Sequence, residues 1–334
     1  MEFYFAPFEG ITGYLYRNAF AHRFGGVEKY FTPFLAPHED KDFNSREKND
    51  ILPEHNEGLL IVPQILTNKP EQFLRVARAL WELGYREVNL NLGCPSPTVV
   101  NRGRGAGLLA EPDKLDALLY GITEGLSQME GMTLSVKTRI GMESAEEFGP
   151  LLDIWNRYPL RELIVHARVR EDYYGGEPDV EAYRQALSMS RCPVCYNGDI
   201  FSKEALEQLC RSVPQTGRVM LGRGLLANPG LARELRDGEA MTREEFLKFH
   251  EEVLSGYLAM QLGDRNTLFK MKELWSYMTH LFPDSEKYDK KIRKAERVGD
   301  YRAAVTELLG NRKIDTQRGF KPQNNWKRKR RNGA

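Results

Sequence analysis

Hydrophobic and polar positions along this chain fall into two alternating textures. Short apolar runs recur at 3–5, 29–31, 60–65, 87–92, 134–137, 162–166, 193–196 and 218–221. Each is too short for a helix and is bounded by turn residues, which predicts a buried strand. Between most of them the apolar positions return at helical spacing, over 14–23, 69–83, 113–127, 144–157, 180–189, 202–212 and 229–237. Start signals support several of these helices: Ser144 with Glu147 reads as a capping box, and Asn68 with Pro70 opens the stretch at 69. The segment 38–49 is polar and predicts a loop. Eight strands over about 235 residues, with a helix after all but the second, predict an α/β fold, a (β/α)8 barrel. A doubly wound sheet is the alternative. It is disfavoured because Gly103, Gly105 and Gly107 lack the spacing of a dinucleotide fingerprint and no early strand leads into one.

Beyond Gly238 the texture changes. Thr242 and Glu245 form a second capping box, and from there to about Leu309 only the helical period remains. The expected organisation is a barrel over 1–238, a small all-helical RNA-binding domain over 239–310, and a basic, disordered tail over 311–334. The helical part carries Lys270, Lys272, Lys287, Lys290, Lys291, Arg293, Lys294 and Arg297, which suit either an RNA-facing surface or a solvated face. Trp275 and Phe282 read as core. The tail holds nine Lys and Arg residues against one acid, Asp315, a pattern that suits a polyanionic partner.

Composition narrows the setting. With 41% hydrophobic and 28% charged residues, the 334-residue chain is ordinary for a globular protein. Four cysteines, at 94, 192, 195 and 210, do not make a disulfide framework in a chain this long. Cys192 and Cys195 enter a strand with no second pair to complete a metal site, so both read as structural and no metal is expected; Cys210 reads as core. Met1-Glu2-Phe3-Tyr4-Phe5 lacks the basic start of a signal peptide, and no apolar run approaches the ~18 residues of a membrane span. A cytoplasmic protein without a membrane partner is expected, monomeric by default.

In a barrel, chemistry collects at the carboxyl ends of strands. Those ends carry Ala6, Pro7, Phe8, Glu9 and Gly10; Gln64; Asn91 and Cys94; Lys137 and Arg139; His166 and Arg168; Asn197, Gly198 and Asp199; and Gly222, Arg223 and Gly224. Cys94 lies between Gly93 and Pro95, where a strand must stop, and a basic glycine-rich loop follows. A thiol in that setting suits acid catalysis near an anionic ligand. The last two loops occupy the usual phosphate position of the fold, with Arg223 as the charged fork. A buried Lys137 requires an electron-rich partner, and a flavin ring would serve.

Taken in order, Ala6-Pro7-Phe8-Glu9-Gly10, Gln64, Asn89-Leu90-Asn91-Leu92-Gly93-Cys94-Pro95, Val136-Lys137, Val165-His166-Ala167-Arg168, Asn197-Gly198-Asp199 and Gly222-Arg223 resemble the tRNA-dihydrouridine synthases over about residues 1–310. The resemblance implies an FMN-dependent oxidoreductase that reduces the C5–C6 bond of specific tRNA uridines with NADPH, through a barrel followed by a helical domain. Ala6, Pro7, Phe8, Gln64, Asn91, Lys137, His166, Asn197, Gly198, Asp199, Gly222 and Arg223 would hold FMN, and Cys94 would donate the proton. Arg102, Arg139, Arg168, Lys270 and Lys272 would meet the tRNA. Val169 stands where the family often has threonine, and the basic tail is not a general family feature. Removing 311–334 is expected to weaken RNA binding with little effect on FMN. Alternatives are a dihydroorotate dehydrogenase-like FMN barrel acting on a small pyrimidine, dihydrouridine synthesis in rRNA, and an RNA-binding barrel without catalysis.

Overall fold

The computed structural model describes residues 1–39 and 41–321. Among them run nine strands, β1 (Glu2–Phe5), β2 (Lys29–Phe31), β3 (Ile61–Val62), β4 (Gln64–Ile65), β5 (Glu87–Leu92), β6 (Thr133–Arg139), β7 (Glu162–His166), β8 (Val194–Asn197) and β9 (Arg218–Leu221). Every strand pairing is parallel, in the order β3-β2-β1-β9-β8-β7-β6-β5-β4. The two outer strands are halves of the single run expected at 60–65, parted at Pro63. Proline has no N–H to give the ladder, so this run feeds one neighbour on each side of the break. Leu35 bridges the gap: its amide donates to the Gln64 carbonyl at 2.7 Å and its carbonyl accepts from Leu66 at 3.0 Å. The sheet thus closes into the expected barrel.

Side-chain alternation sorts each strand. Tyr4 and Ala6 point inward with Phe31, Val62, Ile164, Cys195 and Met220, whereas Phe3 and Phe5 pack outward against the helices. The amino end of the barrel is plugged by charge: the Tyr4 hydroxyl donates to Glu162 at 2.8 Å, and Lys29 lies 3.0 Å from Glu87 and 3.7 Å from Glu162. The carboxyl end is left for chemistry.

One expected loop is a helix. Ser45–Ile51 is helical because Asn44 caps it: the Asn44 side chain accepts from the Glu47 amide and Glu47 accepts from the Asn44 amide, both at 2.9 Å. Its polar sequence hides the period, since Glu47 and Asp50 are buried with Ile51 through ionic and hydrogen-bonded partners rather than apolar contacts.

The region after Gly238 forms helices Arg243–Ala259, Gly263–Met278, Glu286–Lys294 and Val298–Asn311. The Thr242–Glu245 capping box is present. Phe249 joins this bundle to the barrel helix Tyr14–Arg23, with its ring 5.4 Å from both Tyr16 and Phe24. Trp275 is buried and stacks on Phe282 at 5.9 Å, as expected of core. His250 is buried against the Tyr301 hydroxyl at 2.7 Å, and burial brings its imidazole down to about 4.

The segment expected to be a disordered tail from 311 is packed as far as Lys321. The Asp315 amide donates to the Leu281 carbonyl at 2.8 Å, Gln317 donates to Glu234, and Phe320 lies among aromatic rings. The run Lys327 to Arg331 falls outside the described residues. Among the described residues no helix is long and apolar enough to cross a membrane.

Candidate active site

A cavity opens at the carboxyl end of the barrel. Cys94 and all twelve residues expected to hold the cofactor line it, although they come from seven separate segments of chain.

The thiol is placed by a buried polar relay. Asn91, on β5, accepts from the amides of Gly93 at 3.1 Å and Cys94 at 2.9 Å. Its own amide donates to Gln64 at 2.7 Å, Gln64 donates to Asn89 at 2.8 Å, and Asn89 donates to Ser135 at 2.9 Å. The chain of bonds ties β4, β5 and β6 together beneath the loop. From above, Gly105 closes against Cys94: it adopts φ 56°, and a Cβ there would stand 2.9 Å from the Cys94 carbonyl oxygen. Only glycine suits both conditions. Burial pushes the Cys94 thiol up, so it is protonated at neutral pH and can act as an acid.

Next to it stands a row of nitrogen groups. Lys137 Nζ donates to Asn197 Oδ1 at 2.8 Å, and Asn197 Nδ2 donates to the Met220 carbonyl at 2.8 Å. Burial, reinforced by nearby Arg139, lowers Lys137 to about 7. His166 is held neutral: burial first, then Arg139 and Lys137, keep it well below the usual range. Arg168 lies 3.3 Å from His166 Nε2, and a guanidinium can only donate. Nε2 is therefore the acceptor and the ring proton sits on Nδ1.

The arginines divide by role. Arg168 is buried and commits its donors to the Gly175 and Gly176 carbonyls, both Asp199 oxygens and His166. Arg139 is buried and donates to the carbonyls of Gly93, Val169 and Tyr173. Both were expected at the RNA; both brace the loops that frame the cavity, and Arg139 also lines it. Lys270 donates to the Gly10 carbonyl at 2.8 Å, Lys272 donates to Ala295, and neither lines the cavity. Arg102 is exposed on the loop after Cys94, its carbonyl accepting from Asn68 at 3.1 Å.

At the far end Arg223 pairs with Asp199 and lies against the rings of Tyr174 at 5.2 Å and Phe201 at 5.4 Å. Gly222 leaves bare backbone here; a Cβ on it would come 3.1 Å from the Phe8 ring. Phe34, Tyr174 and Phe201 also line the cavity and were not expected there. Glu9, read at the end of the first strand but given no role, lines it too. Tyr174 and Phe201 lie on loops with no period to mark them. Burial raises the Glu9 carboxyl despite its contact with Arg46.

This donor set fits a flat heterocycle with an electron-rich edge and a phosphate. Gln64, Lys137 and His166 line one cavity with Gly198, Gly222 and Arg223, and among the described residues no carboxylate pairs with Lys137, whose ammonium donates to Asn197. The barrel itself is shared with solved old yellow enzymes. An old yellow enzyme homologue from Zymomonas mobilis superposes with a TM-score of 0.52, covering 74% of this chain and 92% of that one. At 11% identity the likeness concerns the fold alone. Sequence comparison is narrower: the family model described as dihydrouridine synthase matches residues 4–313. The chain belongs to the dihydrouridine synthase family, a family of flavin-dependent oxidoreductases. It is 27% identical over 322 residues to a tRNA-dihydrouridine(16) synthase of Pseudomonas putida, an alignment covering 93% of this chain and 97% of the relative. A protein of the same name from Shigella flexneri is 33% identical over 185 residues, where the match spans 54% of this chain and 57% of the relative's length.

Proposed function

We propose that this protein reduces the C5–C6 bond of uridine 16 in tRNA, with FMN as its resident cofactor, NADPH as reductant and Cys94 as proton donor. The observation that carries this reading is the meeting of a protonated thiol with Lys137, His166 and Arg223 in one cavity at the mouth of a parallel barrel. The uridine position is carried over from the relatives, which are tRNA-dihydrouridine(16) synthases by name.

FMN, when bound, supplies the hydride that adds to uridine C6. The chain's own groups do the rest. Arg223 and the backbone at Gly198 and Gly222 would hold the phosphate. Gln64 and His166 would meet the ring, and Lys137 would carry a proton there to balance negative charge. Cys94 Sγ gives its proton to C5, completing the addition of one hydride and one proton, and solvent reprotonates the thiolate. A stacked uridine hides its C5–C6 edge, so the base must leave the RNA stack to enter the cavity. Exposed Lys287, Lys290, Lys294 and Arg297 on the helical bundle would grip phosphates and make affinity salt-dependent. That surface favours RNA over a free pyrimidine.

The test is mass spectrometry of nucleosides from tRNA and rRNA in cells with and without the gene, with positions mapped. Loss of dihydrouridine at tRNA position 16 is the expected result. Unchanged dihydrouridine in both RNAs, with no second enzyme for that site, sinks the reading.

A further inference from the structure

The segment from Asp315 to Lys321 crosses from the helical bundle to the barrel mouth. It is anchored at both ends. The Asp315 amide donates to Leu281 of the bundle at 2.8 Å, Thr316 and Gln317 donate to Glu234 of the barrel's last helix, and the Lys321 amide reaches His280 Nδ1 at 3.5 Å. Between these anchors Gly319 takes φ 60°, and a Cβ on it would stand 3.3 Å from the Phe201 carbonyl oxygen. The chain therefore lies close enough to lower Phe320 into a ring cluster, 4.7 Å from His280, 5.3 Å from Phe201 and 5.8 Å from Tyr277.

The other face of that cluster is Arg223. Its guanidinium carbon lies 5.4 Å from the Phe320 ring, 5.4 Å from Phe201 and 5.2 Å from Tyr174. Tyr174 and Phe201 come from barrel loops, and Phe320 comes from the end of the chain. Rings packed around a guanidinium restrict its rotamers, exclude water and leave its N–H edge for an acceptor in the plane. Asp199 fixes one part of that edge.

We propose that the segment Asp315–Lys321 is a structural part of the cofactor site, in which Phe320 is a positioning residue that holds Arg223 for the cofactor's phosphate. This rests on the reading of the cavity as an FMN site, and it reverses the expectation that the end of the chain leaves FMN binding untouched. Phe320 does not itself line the cavity, and the charged group it meets there is Arg223, so its effect is expected on the phosphate rather than on the ring. Riboflavin, which has the same ring and no phosphate, is the discriminating ligand.

The experiment measures FMN and riboflavin dissociation constants by flavin fluorescence on the full-length, flavin-stripped chain, comparing wild type with Phe320→Ala and Phe320→Tyr. Phe320→Ala should raise the FMN constant about 3- to 30-fold, the span of one cation–π contact, and leave riboflavin within about 2-fold. Phe320→Tyr, which keeps the ring, should restore FMN. An unchanged FMN constant in Phe320→Ala overturns the proposal, and so does an equal loss for both flavins, which would mean general loosening. If wild type itself holds FMN no tighter than riboflavin, the phosphate reading of the cavity fails and this inference fails with it.

Discussion

Asn91 Oδ1 accepts the amide of Cys94 at 2.9 Å, so a side chain one residue before the end of the fifth strand sets the position of the thiol three residues on. The same oxygen holds Gly93, and the other end of the Asn91 amide is anchored on Gln64. The loop is aimed from the barrel wall rather than by its own sequence.

Asn91→Ala should therefore damage geometry and stability together. It strands two amides and the Gln64 carbonyl, a cost of about 1–3 kcal/mol for a buried group left unpaired. Urea unfolding should show the loss, and single-turnover uridine reduction should slow by more than about 10-fold. Wild-type reduction rates in this variant would mean the loop is held by other contacts.

Cys94→Ala removes the acid without touching the nitrogen row. Bound FMN should keep its wild-type absorption spectrum and affinity, while reduction of uridine in tRNA falls about 10²- to 10⁴-fold, the usual contribution of a general acid. Comparable turnover in wild type and variant would take the proton-donor role away from Cys94.

Lys137 gives a pH-dependent signature. Its pKa in the free protein is about 7, so it is largely neutral at pH 8. An anionic or electron-rich ligand favours the ammonium and raises that value on binding. Binding then takes up a proton between the free and the bound pKa, and affinity declines as pH rises above about 7. Calorimetry of FMN binding at pH 8 in buffers of different ionisation enthalpy should show net proton uptake that disappears in Lys137→Met.

The buried arginines and the exposed lysines should separate by salt. Arg139→Gln and Arg168→Gln remove bracing from loop carbonyls, so they should lower thermal stability and leave the slope of log affinity for tRNA against log salt unchanged. Lys287→Ala or Lys290→Ala should do the reverse, each reducing the slope by about 1 if it meets a phosphate. A flattened slope in Arg139→Gln would return that residue to the RNA surface.

Local pattern carried much of the architecture and the cavity's chemistry. Strand runs of three to six residues, helices between them and polar groups at the carboxyl ends are read from neighbours in the chain, and they brought Cys94, Lys137, His166 and Arg223 to one place because a closed barrel turns successive strand ends toward a common mouth. Contacts between distant segments decided the remainder. Pro63 splits a strand yet lets the sheet close because Leu35 bridges the break. Ser45–Ile51 is a helix because its acids find buried partners, which no period announces. Arg139 ends a strand and Arg102 lies in the loop that follows one, and the sequence offers both as basic groups for the barrel mouth, yet one is fully buried on three carbonyls and the other is exposed. Phe320 lies 97 residues after Arg223 and meets it only because two helical anchors carry the chain back across the barrel. A residue type states what a side chain can bond; which partner it meets, and whether water is excluded there, depends on segments folded over it from elsewhere.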